Sequence, residues 1–149
     1  MRVGSTDRAS ELGDRSWREV LSRHDALTGR ETERHGGRLV KTLGDGALAT
    51  FDGPARGIRA ACAIRDGLKR FGVEIRAGLH TGECELLGSD IGGVAVHIAA
   101  RVSAKAEANE VMISRTVKDL IAGSGIRLTD RGLHTLKGVP EDWKLYAVP

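Results

Sequence analysis

Six side chains stand out as able to do chemistry by their type and spacing: Lys41 and Asp45, then Asp90, His97, Arg101 and Lys137. A carboxylate accepts hydrogen bonds or binds a cation, lysine and arginine donate to anionic oxygen, and imidazole can do either. Taken singly, each has an ordinary structural explanation. Asp45 sits in Gly44-Asp45-Gly46, and an Asp-Gly pair reaches the positive φ of a tight hairpin turn at little cost. Lys41 suits an exposed strand position, and Asp90 an Asx turn before a helix. His97 and Arg101 are four residues apart and so share a helix face, and Lys137-Gly138-Val139-Pro140 reads as a turn. His80 and Cys84 are also four apart, but no second pair at zinc-ligand spacing accompanies them.

The elements that must position these residues can be read from periodicity and breakers. Ser5-Thr6-Asp7 offers an N-cap. After a break at Gly13, a segment from Asp14 carries Trp17, Val20, Leu21 and Leu27, which predicts one broken helix or two successive ones ending at Gly36-Gly37. Residues 38–43 and 47–51 flank the Asp-Gly pair as a β-hairpin. Gly53-Pro54 opens a helix with an apolar stripe at Ile58, Ala61, Ile64 and Leu68, closed by Gly72. Alternation at Val73, Ile75, Ala77 and Leu79 predicts a half-buried strand, and residues 80–93 a second hairpin and a loop. Val94, Ile98, Ala99 and Val102 share a helix face. Residues 110–113 read as a strand, Ser114 as the cap of a short helix to Ile121, and residues 126–129, 133–136 and 143–148 as three strand-like pieces. Hairpins interleaved with helices predict one α+β domain over residues 1–149, with a largely antiparallel, ferredoxin-like sheet and helices packed on it.

Composition excludes several classes. The 149 residues carry 23 Lys+Arg against 20 Asp+Glu, and 40% are hydrophobic, which is too apolar for a disordered chain. No apolar run is long enough to cross a bilayer, and the opening reaches charge within two residues with no hydrophobic h-region. A cytoplasmic protein with no membrane partner is expected. The two cysteines, Cys62 and Cys84, read as reduced small apolar residues. Most positive residues are arginines, spread from Arg2 to Arg131 among nearly as many carboxylates, and there are only five aromatics. That supplies neither a basic block nor a stacking platform for a nucleic-acid partner.

Taken together, four ordered runs say more than any of these residues alone. Val40-Lys41-Thr42-Leu43-Gly44-Asp45-Gly46-Ala47-Leu48-Ala49-Thr50-Phe51 is followed by Arg76-Ala77-Gly78-Leu79-His80-Thr81-Gly82-Glu83. Then come Asp90-Ile91-Gly92-Gly93-Val94-Ala95-Val96-His97-Ile98-Ala99-Ala100-Arg101-Val102 and the stretch from Gly132 through Lys137-Gly138-Val139. In this order and spacing they resemble the class III nucleotidyl cyclase catalytic domain, in particular that of bacterial adenylate cyclases. The resemblance implies conversion of ATP to cyclic AMP and pyrophosphate, with two Mg²⁺ or Mn²⁺ ions held by two aspartates. It implies that Asp45 is one metal ligand and that Lys41 and Asp90 read adenine. It gives Arg101 the charge developing on the α-phosphate, Lys137 the terminal phosphates, and His97 a ribose-orienting position often held by asparagine. It also implies a head-to-tail dimer, with Asp45 of one chain facing the other five residues of its partner.

The chain departs from that pattern at its first strand. Aligning Val3-Gly4-Ser5-Thr6 with the family's Phe-Thr-Asp-Ile-Val-Gly-Ser-Thr puts Met1 where the other metal-binding aspartate belongs. Asp7 is expected in the following helix rather than in that aspartate's place, and a shortened first strand is expected to leave a sheet edge unpaired. The expectation is an adenylate cyclase-type domain with impaired turnover. The alternative is an inactive relative that binds nucleotide, or that forms a heterodimer with an intact cyclase and completes its half-site.

Overall fold

The computed structural model describes the backbone of residues 2–3, 6–43 and 46–149, and the side chains of residues 15–42 and 46–149. Met1 and Asp45 lie outside the described residues.

The chain opens with β1 (Arg2–Val3) and α1 (Thr6–Arg34). α1 runs unbroken through Gly13, and Asp7 falls within it. A glycine inside a helix costs only about 1 kcal/mol. The packing of Trp17, Val20 and Leu27 against Ile64, Leu68, Val73 and Ile75 outweighs that cost. Leu27 also fills the space left by Gly67, where an added Cβ would lie 2.6 Å from its Cδ2. The buried face of α1 has a polar column as well, since His24, Thr28 and Thr32, one turn apart, are each at most 1% exposed.

β2 (Gly37–Leu43) and β3 (Gly46–Phe51) form the expected hairpin. Their register slips by one residue between Leu39 and Lys41, so Val40 is a bulge. α2 (Pro54–Lys69) starts with proline in its first turn, where the missing N–H costs nothing, and β4 (Ile75–Leu79) follows. β5 (Glu85–Leu87) and β6 (Asp90–Gly92) pair only with each other. Beyond them lie α3 (Val94–Lys105), β7 (Glu110–Ser114) and α4 (Arg115–Leu120), the last capped by Ser114, which accepts from the Val117 N–H as predicted. β8 (Thr129–Thr135) and β9 (Asp142–Val148) complete the chain. Of the three pieces expected here, the first is strand only at Thr129, from which β8 continues through most of the second, and the third is β9. Gly132, at φ +79°, makes a bulge between Asp130 and Leu133 rather than a break.

The sheet order is β2-β3-β1-β4-β7-β9-β8, antiparallel except for the β4–β7 pair. β1 is therefore not at an edge. Arg2 pairs with Gly46 on one side and Arg76 on the other, so the short strand lies inside the sheet, contrary to the expectation of an exposed edge. The pleat divides β7 between two cores. Val111 and Ile113 face Ile58 and Ala61 of α2 and Val117 of α4, while Met112 faces Ile98 and Val102 of α3. Helices thus cover both faces, which explains why β7 is almost continuously apolar.

Candidate functional site

Local features of the sequence place the candidate residues that the structure describes. In a regular strand Arg38 and Lys41 would point to opposite faces, because three residues separate them. The Val40 bulge restores them to one face, and both reach the β5–β6 hairpin. Arg38 donates to the Ser89 carbonyl at 3.3 Å, and Lys41 Nζ donates to Asp90 Oδ2 at 2.9 Å. Asp90 Oδ1 accepts from the Ile91 N–H at 2.7 Å. The Lys41 hydrogen bond, followed by that of the Ile91 amide, holds the Asp90 carboxyl below its ordinary range. Both partners remain partly exposed, at 37% and 42% of their side-chain surface, so the pair is open to a ligand.

α3 carries the next two residues, and Gly78 of β4 sets its position. A Cβ on Gly78 would lie 2.2 Å from the Ser103 nitrogen and 2.7 Å from the Ala99 carbonyl oxygen, so helix and strand touch backbone to backbone. His97 and Arg101 lie one turn apart on this helix. His97 Nε2 is 3.0 Å from the carbonyl oxygen of Lys137, in the turn that joins β8 to β9. The Arg101 Nε is shielded from solvent and meets no hydrogen-bond acceptor. A guanidinium cannot shed its proton, so an unmet buried N–H costs about 1–3 kcal/mol until an acceptor arrives.

The six candidates therefore fall into the pair Lys41–Asp90 and the group His97, Arg101 and Lys137, while Asp45 lies outside the described residues. Sequence reasoning missed three contributors: the Val40 bulge, Arg38, and Gly138. A Cβ on Gly138 would approach His97 Nε2 to 2.9 Å. The run Lys137-Gly138 signalled the turn, though nothing in it signalled the histidine that lies against it. His80 is spent structurally. Its Nδ1 is 2.7 Å from Ser114 Oγ, and its ring meets Trp143 edge to face at 5.2 Å. Burial pushes its pKa down.

With this geometry in view, the chain matches the adenylate and guanylate cyclase catalytic domain over residues 3–149. The chain belongs to that family. Among curated relatives, this cyclase domain is 30% identical over 132 residues to a Rhizobium meliloti (strain 1021) protein that carries the provisional name adenylate cyclase 3. The match covers 83% of this chain and 21% of that protein. The next relatives are covered to 28%, so the chain spans about a quarter of the length of the curated proteins it matches. Among solved structures, the domain resembles the adenylate/guanylate cyclase/hydrolase from Silicibacter pomeroyi at 27% identity and TM-score 0.82, covering 99% of this chain and 92% of that one. It shares its fold with the adenylyl cyclase CyaB from P. aeruginosa at TM-score 0.88 and 22% identity, over 99% and 90% of the two chains.

The cyclase family generally uses divalent metal ions. Among the described residues, no three His, Cys, Asp or Glu side chains gather closely enough to hold an ion. Nor is any described helix of the domain long and apolar enough to cross a membrane.

Proposed function

We propose that this domain binds ATP between two chains and is built for its conversion to cyclic AMP and pyrophosphate, with turnover impaired by the side chain at Met1. The observation that carries the reading is the Lys41–Asp90 pair: an ammonium and a carboxylate side by side, 2.9 Å apart and open to solvent. Adenine offers an acceptor at N1 and a donor at N6. Lys41 donates to the first and Asp90 accepts from the second, whereas guanine mismatches both.

The other residues take roles that suit their surroundings. Arg101, with a shielded N–H in need of an acceptor, meets the α-phosphate oxygen on which charge develops, and Lys137 meets the terminal phosphates. Asp45 serves the site made with the partner chain, which explains how it and Lys41 can share one hairpin yet act in different sites. Leu86 and Leu87 on the β5–β6 hairpin, 79% and 55% exposed, offer apolar surface for that second chain.

The test is cyclic AMP production from ATP with excess Mn²⁺, at protein concentrations that favour a dimer, with Arg101→Ala as background. ATP binding that exceeds GTP binding, with little product above background, is the expected result. Robust turnover overturns the impairment, and equal binding of the two nucleotides overturns the base reading. A second reading, a half-site that completes an intact cyclase, is favoured by the single carboxylate in the metal set. It predicts that adding an intact relative restores product through the Lys41, Asp90, Arg101 and Lys137 of this chain.

A further inference from the structure

We infer that His97 is a positioning residue that braces the Lys137 turn against α3, and that its Nε2 does not orient the ribose. This inference rests on the reading that Arg101 and Lys137 both meet the nucleotide, and it begins with the hydrogen bond from His97 Nε2 to the Lys137 carbonyl, 3.0 Å long. A carbonyl oxygen only accepts, so Nε2 carries the hydrogen and the neutral ring presents Nδ1 as an acceptor. The donor that an asparagine would offer from this position is absent while the bond holds.

The turn is shaped to make that bond. The Val139 N–H donates to the Leu136 carbonyl at 3.0 Å, and Gly138 sits at φ +82°, the signature of a type II turn with residues 137 and 138 at its centre. Relative to type I, the peptide between those two residues is flipped, and the flip is what directs the Lys137 carbonyl toward His97. Glycine at 138 serves twice: it takes the left-handed φ, and it leaves room for the ring, which a Cβ would approach to 2.9 Å. On the near side Leu136, 1% exposed, is anchored among Ile98, Val102 and Met112, with Val139 packed against the same cluster. The turn is thus held to α3 by an apolar anchor below and the His97 bond above. Arg101 lies one helical turn beyond His97, so the brace sets where the Lys137 backbone stands relative to the Arg101 guanidinium.

Amide geometry separates the two roles. The side-chain nitrogen of glutamine lies about as far along the chain as Nε2 of histidine, whereas that of asparagine matches Nδ1. If residue 97 braces Lys137, His97→Gln keeps the function and His97→Asn loses it. If residue 97 orients ribose, the order is reversed.

The experiment uses the full chain with wild type, His97→Gln, His97→Asn and Gly138→Ala, each checked for cooperative unfolding. Hydrogen exchange at the Val139 amide is read without nucleotide, the imidazole tautomer by nitrogen NMR, and ATP affinity separately. The expected result is an Nε2–H tautomer, with exchange protection and ATP affinity near wild type in His97→Gln. Both should fall in His97→Asn and Gly138→Ala, by roughly three- to tenfold for one hydrogen bond. An Nδ1–H tautomer, or protection and affinity kept by His97→Asn and lost by His97→Gln, overturns the inference. Because exchange is read without nucleotide, failure of the wild type to bind ATP counts against the proposed function and leaves the brace to be decided by the exchange and tautomer data.

Discussion

Lys41 and Asp90 are separated by 49 residues in the chain and by 2.9 Å in space, and their contact joins the main sheet to the small β5–β6 hairpin. Together with the Arg38 hydrogen bond to the Ser89 carbonyl it ties β2 to the hairpin that leads into α3, and of the two it is the one in which both partners are charged. Replacing either partner changes two things together, the chemistry shown to a base and the seating of the hairpin. An experiment on the pair has to separate them.

Base selection is checked by measuring ATP and GTP affinity in wild type, Lys41→Gln and Asp90→Asn. Hydrogen bonds to a charged group are worth about 1.5–3 kcal/mol each, so ATP preference should fall by roughly tenfold to a hundredfold in either variant. Carboxyl NMR in Lys41→Gln supplies the structural control. With its largest lowering influence removed, the Asp90 titration should move up toward the ordinary carboxylate range.

Arg101→Met should separate stability from binding. It removes a shielded N–H that has no acceptor in the free domain, so denaturant unfolding should be unchanged within about 0.5 kcal/mol or slightly improved. Affinity for nucleotide triphosphate should drop, as read by calorimetry. A large loss of stability would mean that Arg101 serves the fold.

His80 gives a pH dependence whose sign follows from its burial. Its pKa in the folded domain lies below the ordinary value of about 6.5, so the unfolded chain binds the extra proton first as pH falls. The stabilisation it supports is complete above that ordinary value and is lost as pH drops from there toward the folded pKa. Unfolding midpoints of wild type and His80→Gln across this window should converge at low pH relative to their spacing at pH 8.

Gly78→Ala tests the backbone contact that seats α3. The added methyl meets the Ser103 nitrogen and the Ala99 oxygen, backbone atoms that cannot rotate away. Overpacking of this kind costs about 1–3 kcal/mol, and a lowered thermal midpoint is the expected outcome. Gly53→Ala, at φ −138° and with its nearest neighbour atom 4.0 Å from the added Cβ, controls for the glycine-to-alanine change without a clash or a left-handed backbone.

Much of this architecture was legible in the chain because local signals agreed with the tertiary result. The two short runs read as hairpin strands, Pro54 at a helix start and Ser114 before a short helix each became the element predicted. Glycine misled where packing overrode it. Gly13 lies inside α1, and Gly132 bends β8 where a break was expected. The buried polar column of His24, Thr28 and Thr32 could not be foreseen, since such residues usually face water. At the candidate site, the resemblance had grouped Lys41 with Asp90, and the two meet although they lie far apart in the chain. The His97–Lys137 contact was not foreseen, because it runs through a main-chain carbonyl that has no residue-specific signature.

The bulge at Val40 makes the hairpin behave like a reading frame. Removing one residue there would restore a regular ladder and bring whichever side chain follows to the opposite face, with no substitution at position 41. Relatives with a one-residue gap at this point would show a different group to the base even where their sequences align on lysine. Base preference across such relatives should therefore follow strand parity together with residue identity, and insertions or deletions in this hairpin are a route by which it could change in a single step.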